Sequence, residues 1–247
     1  MATTEQRLLN RFKQLNERAD SKNVDKSILI ISTPRCGSTL YCDVLSDLNM
    51  IGQCKEWFNM RYISAYATFK GISNINFQEY LHFLKLKTTN NTGVFSVNVH
   101  VEQYIDLLKH NLDIAELGFD CVVYLSRKNK IAQAVSLTKA QITDKWSADA
   151  TAKCALPERP PLAQIAQSLS HIINSHDYYV NKLQAICDFE YCYEDFKDLS
   201  NHLPFIQPLS KLELKVKQKI ELKTQRVIQS DCNSSDWLNE FNQLLGR

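Results

Sequence analysis

The chain has 247 residues, 44% hydrophobic and 23% charged, the composition of a globular protein with a sizeable core rather than of a disordered one. Its 29 Lys and Arg against 27 Asp and Glu leave a formal net charge of +2, too little for the electrostatic footprint of a nucleic-acid or anionic-membrane binder. The 8 cysteines show no Cys-x-x-Cys spacing, no stretch is apolar for the length of a membrane span, and residues 1–27 lack the apolar core of a signal peptide. Reduced thiols in a cytoplasmic protein without a zinc site are therefore expected.

In chain order, Leu8, Leu9, Phe12 and Leu15 predict an amphipathic helix ending near the polar run 18–26. Ile28–Ile31 reads as a short strand buried on both faces. After a tight loop the period changes, and Tyr41, Val44, Leu45 and Leu48 share one stripe of a helix over about 39–49. Residues 60–90 look helical. Val94–Val99 is the second strand, 101–110 the next helix, and Cys121–Leu125 the third strand, followed by a helical run carrying Ile131, Ala134, Val135 and Thr138. A Pro-rich insert with Pro157, Pro160 and Pro161 precedes a long helix over about 162–187; Asp188–Tyr193 is the fourth strand and 194–199 a short helix. Residues 211–228 alternate charged and apolar positions, as in an edge strand or a charged surface segment, and a loop over 229–237 leads into a last helix, 238–245.

Strands alternating with helices predict an α/β fold: a central parallel sheet with helices on both faces, in a single domain over 1–247 with 1–27 as a helical N-terminal extension. Ligands in such sheets bind beyond the carboxyl ends of the strands. The loop at 33–39, Arg127 and Tyr193 all lie there.

The loop Ser32-Thr33-Pro34-Arg35-Cys36-Gly37-Ser38-Thr39 joins a strand to a helix. Amide groups at a helix N-terminus favour an anion, Gly37 allows close backbone approach, Ser38 and Thr39 add donors, and Arg35 adds a charged fork. That is a phosphate or sulfate cradle; the alternative is an ordinary βα turn with a Ser/Thr cap. The nucleoside triphosphatase loop requires a Lys before the hydroxyl, and here that residue is Gly37. A phosphatase-type Cys36 would need an Arg six residues on, where Cys42 stands.

Four blocks resemble the sulfotransferases that use 3′-phosphoadenosine 5′-phosphosulfate (PAPS), in particular the bacterial family typified by trehalose 2-sulfotransferase. Arg35-Cys36-Gly37-Ser38-Thr39-Leu40 is similar to that family's R-S-G-S-T-L loop, which holds the 5′-phosphosulfate. Glu56-Trp57-Phe58 stands at the same spacing from the loop as its E-[FY]-F element, whose Glu is the proposed base. Arg127-Lys128-Asn129 through Gln133-Ala134-Val135-Ser136, followed by Trp146, resembles R-x-[DN]-x-x-x-Q-A-V-S, whose Arg and Ser bind the 3′-phosphate. Tyr193-Glu194-Asp195-Phe196 resembles the segment beside the adenine, and Gln229-Ser230-Asp231 with Ser234 and Trp237 the family's late loop. Three positions depart: Cys36 replaces a Ser, and in the family's G-x-K-x-x-W strand Asn98 stands for the lysine and Val101 for the aromatic.

The resemblance implies a P-loop-type sulfotransferase fold and an enzyme that moves the sulfuryl group of PAPS in line to an acceptor hydroxyl, leaving 3′-phosphoadenosine 5′-phosphate (PAP), with no metal. The acceptor it implies is a small molecule, a carbohydrate or glycolipid by default, and a homodimer is compatible with it. Arg35, Cys36, Gly37, Ser38 and Thr39 are then donor-binding, with Arg127, Ser136, Tyr193, Gln229 and Ser230. Glu56 is the general base, beside Trp57 and Phe58, whose rings would desolvate it; otherwise it is a solvated loop carboxylate. His100 is a competing base or a structural histidine, and Trp146 lines the acceptor site or packs on the surface. The rival readings are a non-catalytic nucleotide-binding protein that keeps the fold, and a nucleotide kinase, against which the missing loop lysine argues.

Overall fold

The computed structural model describes residues 3–21, 23–146, 152–214 and 232–246. Four strands, β1 (Lys26–Ser32), β2 (Val94–His100), β3 (Cys121–Ser126) and β4 (Phe189–Cys192), form one sheet in the order β2-β1-β3-β4, parallel throughout. All four are the predicted strands, with ends shifted by a residue or two. The register brings Ser32 level with His100 and with Leu125, and Ser126 level with Cys192. The four carboxyl ends therefore share one edge of the sheet.

Apolar runs form these strands because both faces are covered. On one face α1 (Thr4–Asn16), α3 (Met60–Lys70), α4 (Phe77–Thr88) and α5 (Val101–Lys109) pack against Leu29, Ile31, Phe95, Val97, Val122 and Tyr124. Phe12 of α1 is buried in that layer among six aromatic rings, so this helix belongs to the core. On the other face α2 (Ser38–Asp47), α8 (Tyr193–Phe196) and α9 (Leu203–Lys211) pack against Ile28, Ile30, Val123 and Leu125. A third cluster joins α6 (Lys130–Thr143), α7 (Leu162–Tyr178) and α10 (Cys232–Leu244) through Ile165, Ile172, Trp237 and Phe241. The result is the three-layer α/β arrangement that the alternation predicts. No helix among the described residues is long and apolar enough to cross a membrane.

The chain leaves β1 through α2, α3 and α4 to reach β2 on one side, then returns through α5 to β3 on the other. The winding reverses at β1, and in such sheets ligands bind beyond the strands' carboxyl ends at that point. The loop 33–37 lies there.

Three expectations need correction. The long helix stops being regular at Tyr179, passing through a π turn over Tyr179–Leu183 and a 3₁₀ turn over Gln184–Ile186. Residues 211–214 finish α9 in a turn, with Glu213 in the left-handed region, rather than opening an edge strand; 215–228 lie outside the described residues. The last helix begins at Cys232, so 232–237 are not a loop. Helix α9 itself is hidden in the sequence by Pro204 and Pro208, though a proline in the first turn costs a helix nothing it needs.

Candidate active site

The loop after β1 turns twice through the left-handed region, at Arg35 (φ +62°) and Gly37 (φ +86°). Gly37 is the N-cap of α2, and no side chain caps the helix. The Ser/Thr-capped turn that was the bland alternative is thus not what forms, and the first-turn amides lie beside a residue without a side chain. A Cβ on Gly37 would stand 2.5 Å from Tyr193 Cδ2 and 3.3 Å from a Phe196 ring carbon. From α6, buried Gln133 fixes the loop: its Nε2 donates to Thr33 Oγ1 (2.9 Å) and to the Pro34 carbonyl (2.6 Å). Ser38 is buried at the start of α2 and Thr39 is exposed one residue on.

Cys36, expected among the cradle's donors, is a core residue. It has no exposed surface, it packs in the cluster with Tyr41 and Val44, and its N–H donates to the Thr33 carbonyl. Burial pushes its thiol pKa up.

Two guanidinium groups flank the loop. Arg35 Nε donates to Ser136 Oγ (3.0 Å) and its Nη1 to the carbonyl of Trp146 (2.8 Å). Burial, and then the neighbouring charge of Arg127, lowers the Arg35 pKa. Arg127, just beyond β3, lies with its Cζ 5.0 Å from the centre of the Tyr193 ring, and its Nε is buried without a hydrogen-bond partner among the described residues. Glu194 fixes the Arg127 loop by accepting from the amides of Lys128 (2.9 Å) and Asn129 (3.3 Å), while Lys128 pairs with Asp195. Burial alone would raise the Glu194 pKa, but those backbone donors bring it below the usual value. Arg35, Gly37, Arg127 and Tyr193 therefore meet as expected from their places at strand ends, and Ser136 joins them from α6. Close like charges around a helix start without a side-chain cap can hold an anion.

Glu56 approaches from the side of β2. Its Oε2 accepts from Gln103 Nε2 (2.6 Å) and Asn59 Nδ2 (3.3 Å), and its Oε1 lies 3.8 Å from His100 Nε2. The carboxylate is 32% exposed. Trp57 and Phe58, its neighbours in sequence, are core residues. Both are wholly buried: Trp57 donates through Nε1 to the Gln53 carbonyl and packs on Phe12 and Tyr62, while Phe58 packs on Phe77. They anchor the segment and are closed to a ligand in this structure. Burial pulls the His100 pKa down, yet the carboxylates of Glu56 and Glu102 outweigh it and push it up to about 9, so at neutral pH this histidine is an imidazolium with no lone pair to take a proton. Arg35 also acts on His100, placing the donor loop and the Glu56 side in one neighbourhood.

The segment before Glu56 is tied to α2. Lys55 Nζ pairs with Asp43 Oδ1 at 2.8 Å, the thiols of Cys42 and Cys54 touch at 3.1 Å, and Ser46 Oγ donates to the Gly52 carbonyl. Asn98, in the place of the family's lysine, is buried and accepts from Ser32 Oγ at 2.8 Å. Trp146 is 43% exposed at the rim, its indole N–H donating to Asp144. Gln229 and Ser230 lie outside the described residues; of the same late block, Ser234 accepts from Lys139 and Trp237 lies beneath that ammonium, which fixes α10 to α6.

Sequence reasoning assigned no role to Gln133, Gln103, Glu102 or His171. Gln103 carried a usable signal, since a Gln three residues into a helix reaches back to the N-cap amide, and here its Oε1 accepts from the His100 N–H at 3.1 Å.

No curated protein matches the chain. Residues 27–243 match the model of the Stf0 sulphotransferase family. With a parallel sheet whose carboxyl edge gathers two guanidinium groups and a glycine-capped helix start, the chain belongs to that enzyme family.

Proposed function

We propose that this enzyme moves the sulfuryl group of PAPS, the donor its family implies, in line to a hydroxyl of a carbohydrate or glycolipid acceptor, with Glu56 taking the hydroxyl proton. The observation that carries the reading is the pair of guanidinium groups around Gly37: Arg35 beside the helix start, and Arg127 with its buried Nε awaiting an acceptor. The residues fit the donor. The first-turn amides of α2, the Ser38 and Thr39 hydroxyls and Arg35 would hold the 5′-phosphate and steady the charge that gathers there as the S–O bond breaks; such preorganised donors contribute about 3 kcal/mol each. Arg127 and Ser136 would hold the 3′-phosphate and Tyr193 the adenine side. Glu56, fixed by Gln103 and Asn59, keeps Oε1 for the proton.

Calorimetric titration with PAP, AMP and ATP tests this. Binding that depends on the 3′-phosphate and weakens in Arg127→Ala and Ser136→Ala supports the reading; equal binding of ATP, or none of PAP, sinks it. One observation favours a second reading, a donor-binding protein without turnover: Asn98 replaces the lysine and is engaged with Ser32. Such a protein binds PAP but releases no sulfated product from any acceptor in a screen with radiolabelled PAPS.

A further inference from the structure

Beyond Glu56, the structure contains a row of ionisable groups that the reaction as described does not use. His100 Nε2 lies 3.8 Å from Glu56 Oε1 and His100 Nδ1 lies 3.6 Å from Glu102 Oε1. The same Glu102 oxygen is 3.8 Å from His171 Nε2. Carboxylate and imidazole side chains thus alternate over four residues from three parts of the fold: the segment before α3, the start of α5, and α7. Glu56 and Glu102 have about a third of their side-chain surface exposed, His100 much less, and His171 nearly half. The row starts at the catalytic edge and ends at a polar cleft between α6 and α7, lined by Gln141, Gln164, Ser168 and His171.

The backbone holds its centre in place. His100 closes β2 at the level of Ser32 and is the N-cap of α5, and its amide is held by Gln103, the residue whose Nε2 grips Glu56. One helix start therefore aims both contacts at the carboxylate: Gln103 fixes Oε2 and His100 faces Oε1.

We propose that His100, pinned by Glu102 with His171 behind it, is the positioning residue of Glu56, an imidazolium clamp that keeps the base's Oε1 turned toward the donor loop. This rests on Glu56 being the base of the proposed transfer. The clamp needs the His100 proton. Among the described residues, Glu56, Glu102 and His171 face His100 from the α3 and α5–α7 sides, and Arg35 from the side of the donor loop, where it opposes the charge. The two carboxylates prevail and push the His100 pKa up to about 9. Glu102, which burial alone would raise, is brought down to about 2 by the two histidines. The carboxylates thus hold the His100 proton, which leaves in alkali.

The test is a titration of the histidine ring protons by NMR in the full chain, assigned with His100→Gln and His171→Gln. The expected result is a His100 midpoint near 9 that falls by about one unit or more in Glu56→Gln and again in Glu102→Gln, while His171 moves in Glu102→Gln alone. A His100 midpoint at or below the ordinary 6.5, or one unmoved by Glu56→Gln, overturns the proposal. Should Glu102→Gln fail to fold, Glu56→Gln carries the test by itself, since that side chain is partly in solvent. PAP binding measured on the same samples separates the two readings. Its failure in the wild type removes the transfer reading, whereas the titration alone decides whether the clamp exists.

Discussion

Arg35 and Ser136 are 101 positions apart and meet side chain to side chain, Nε to Oγ at 3.0 Å. The guanidinium of the donor loop is therefore oriented by the hydroxyl that the family pattern assigns to the other phosphate. Ser136→Ala removes one contact of the proposed donor site and also the group that aims Arg35. A hydrogen bond to a charged group contributes about 1.5–3 kcal/mol, so PAP affinity should fall on the order of ten-fold or more. Calorimetry on the variant checks this, and unchanged affinity would show that Arg35 holds its pose unaided.

Gly37→Ala should be a folding and binding defect together. A left-handed φ costs a residue with a Cβ about 1–2 kcal/mol, and the new carbon would stand 2.5 Å from the Tyr193 ring. Tyr193 must swing away, and its stacking with Arg127 goes with it. A lowered melting temperature with weakened PAP binding is expected. Wild-type values for both would mean that the ring moves without cost.

Gln133→Leu keeps the bulk and removes two donors from a site without water access. Thr33 Oγ1 and the Pro34 carbonyl then lose their partner, which costs about 1–3 kcal/mol for each buried group left unpaired. Urea denaturation should show that loss with an unchanged slope. A variant as stable as the wild type would mean the loop finds other partners.

Stability should also depend on pH through the row of charges behind Glu56. A histidine raised to about 9 contributes fully below its ordinary 6.5, and the contribution disappears as pH rises through 9. A glutamate brought down to about 2 contributes fully above its ordinary 4.5 and loses that as pH falls through 2. Both are complete between pH 4.5 and 6.5. The melting temperature should therefore decline from pH 6.5 to 9, and Glu102→Gln should flatten that decline; parallel curves for variant and wild type would contradict it.

Trp57→Ala should act on stability before chemistry. The side chain is wholly buried against Phe12 and Tyr62, and emptying such a site costs about 3–5 kcal/mol. Trp57→Phe, which retains most of the volume, should restore much of the melting temperature. If Trp57→Ala instead melted like the wild type, the residue would not be a core anchor.

Much of this was legible in the residues because strands buried on both faces leave unbroken apolar runs, and Ile28–Ile31, Val94–Val99 and Cys121–Leu125 are such runs. Once the strands are located, their carboxyl ends locate Arg35, Arg127 and Tyr193. Side-chain direction outside regular elements has no period to read. For that reason Trp57 and Phe58 looked like walls of a site when they are core, and Cys36 looked like a donor when its loop turns it inward. The row from Glu56 to His171 joins positions up to 115 apart, which only the packing of α5 against α7 brings together.

The ties between α2 and the segment before Glu56 have a mechanical consequence. An ion pair, a thiol contact and a hydroxyl bond fasten the helix that follows the loop at 33–37 to the strip of chain that ends in Glu56. The distance between the proposed donor loop and the proposed base is thus set within one cross-tied piece. The α6–α7 cleft lies outside that piece, whereas Trp146 is tied to it through Arg35. An engineer could recut that cleft and leave these ties as they are.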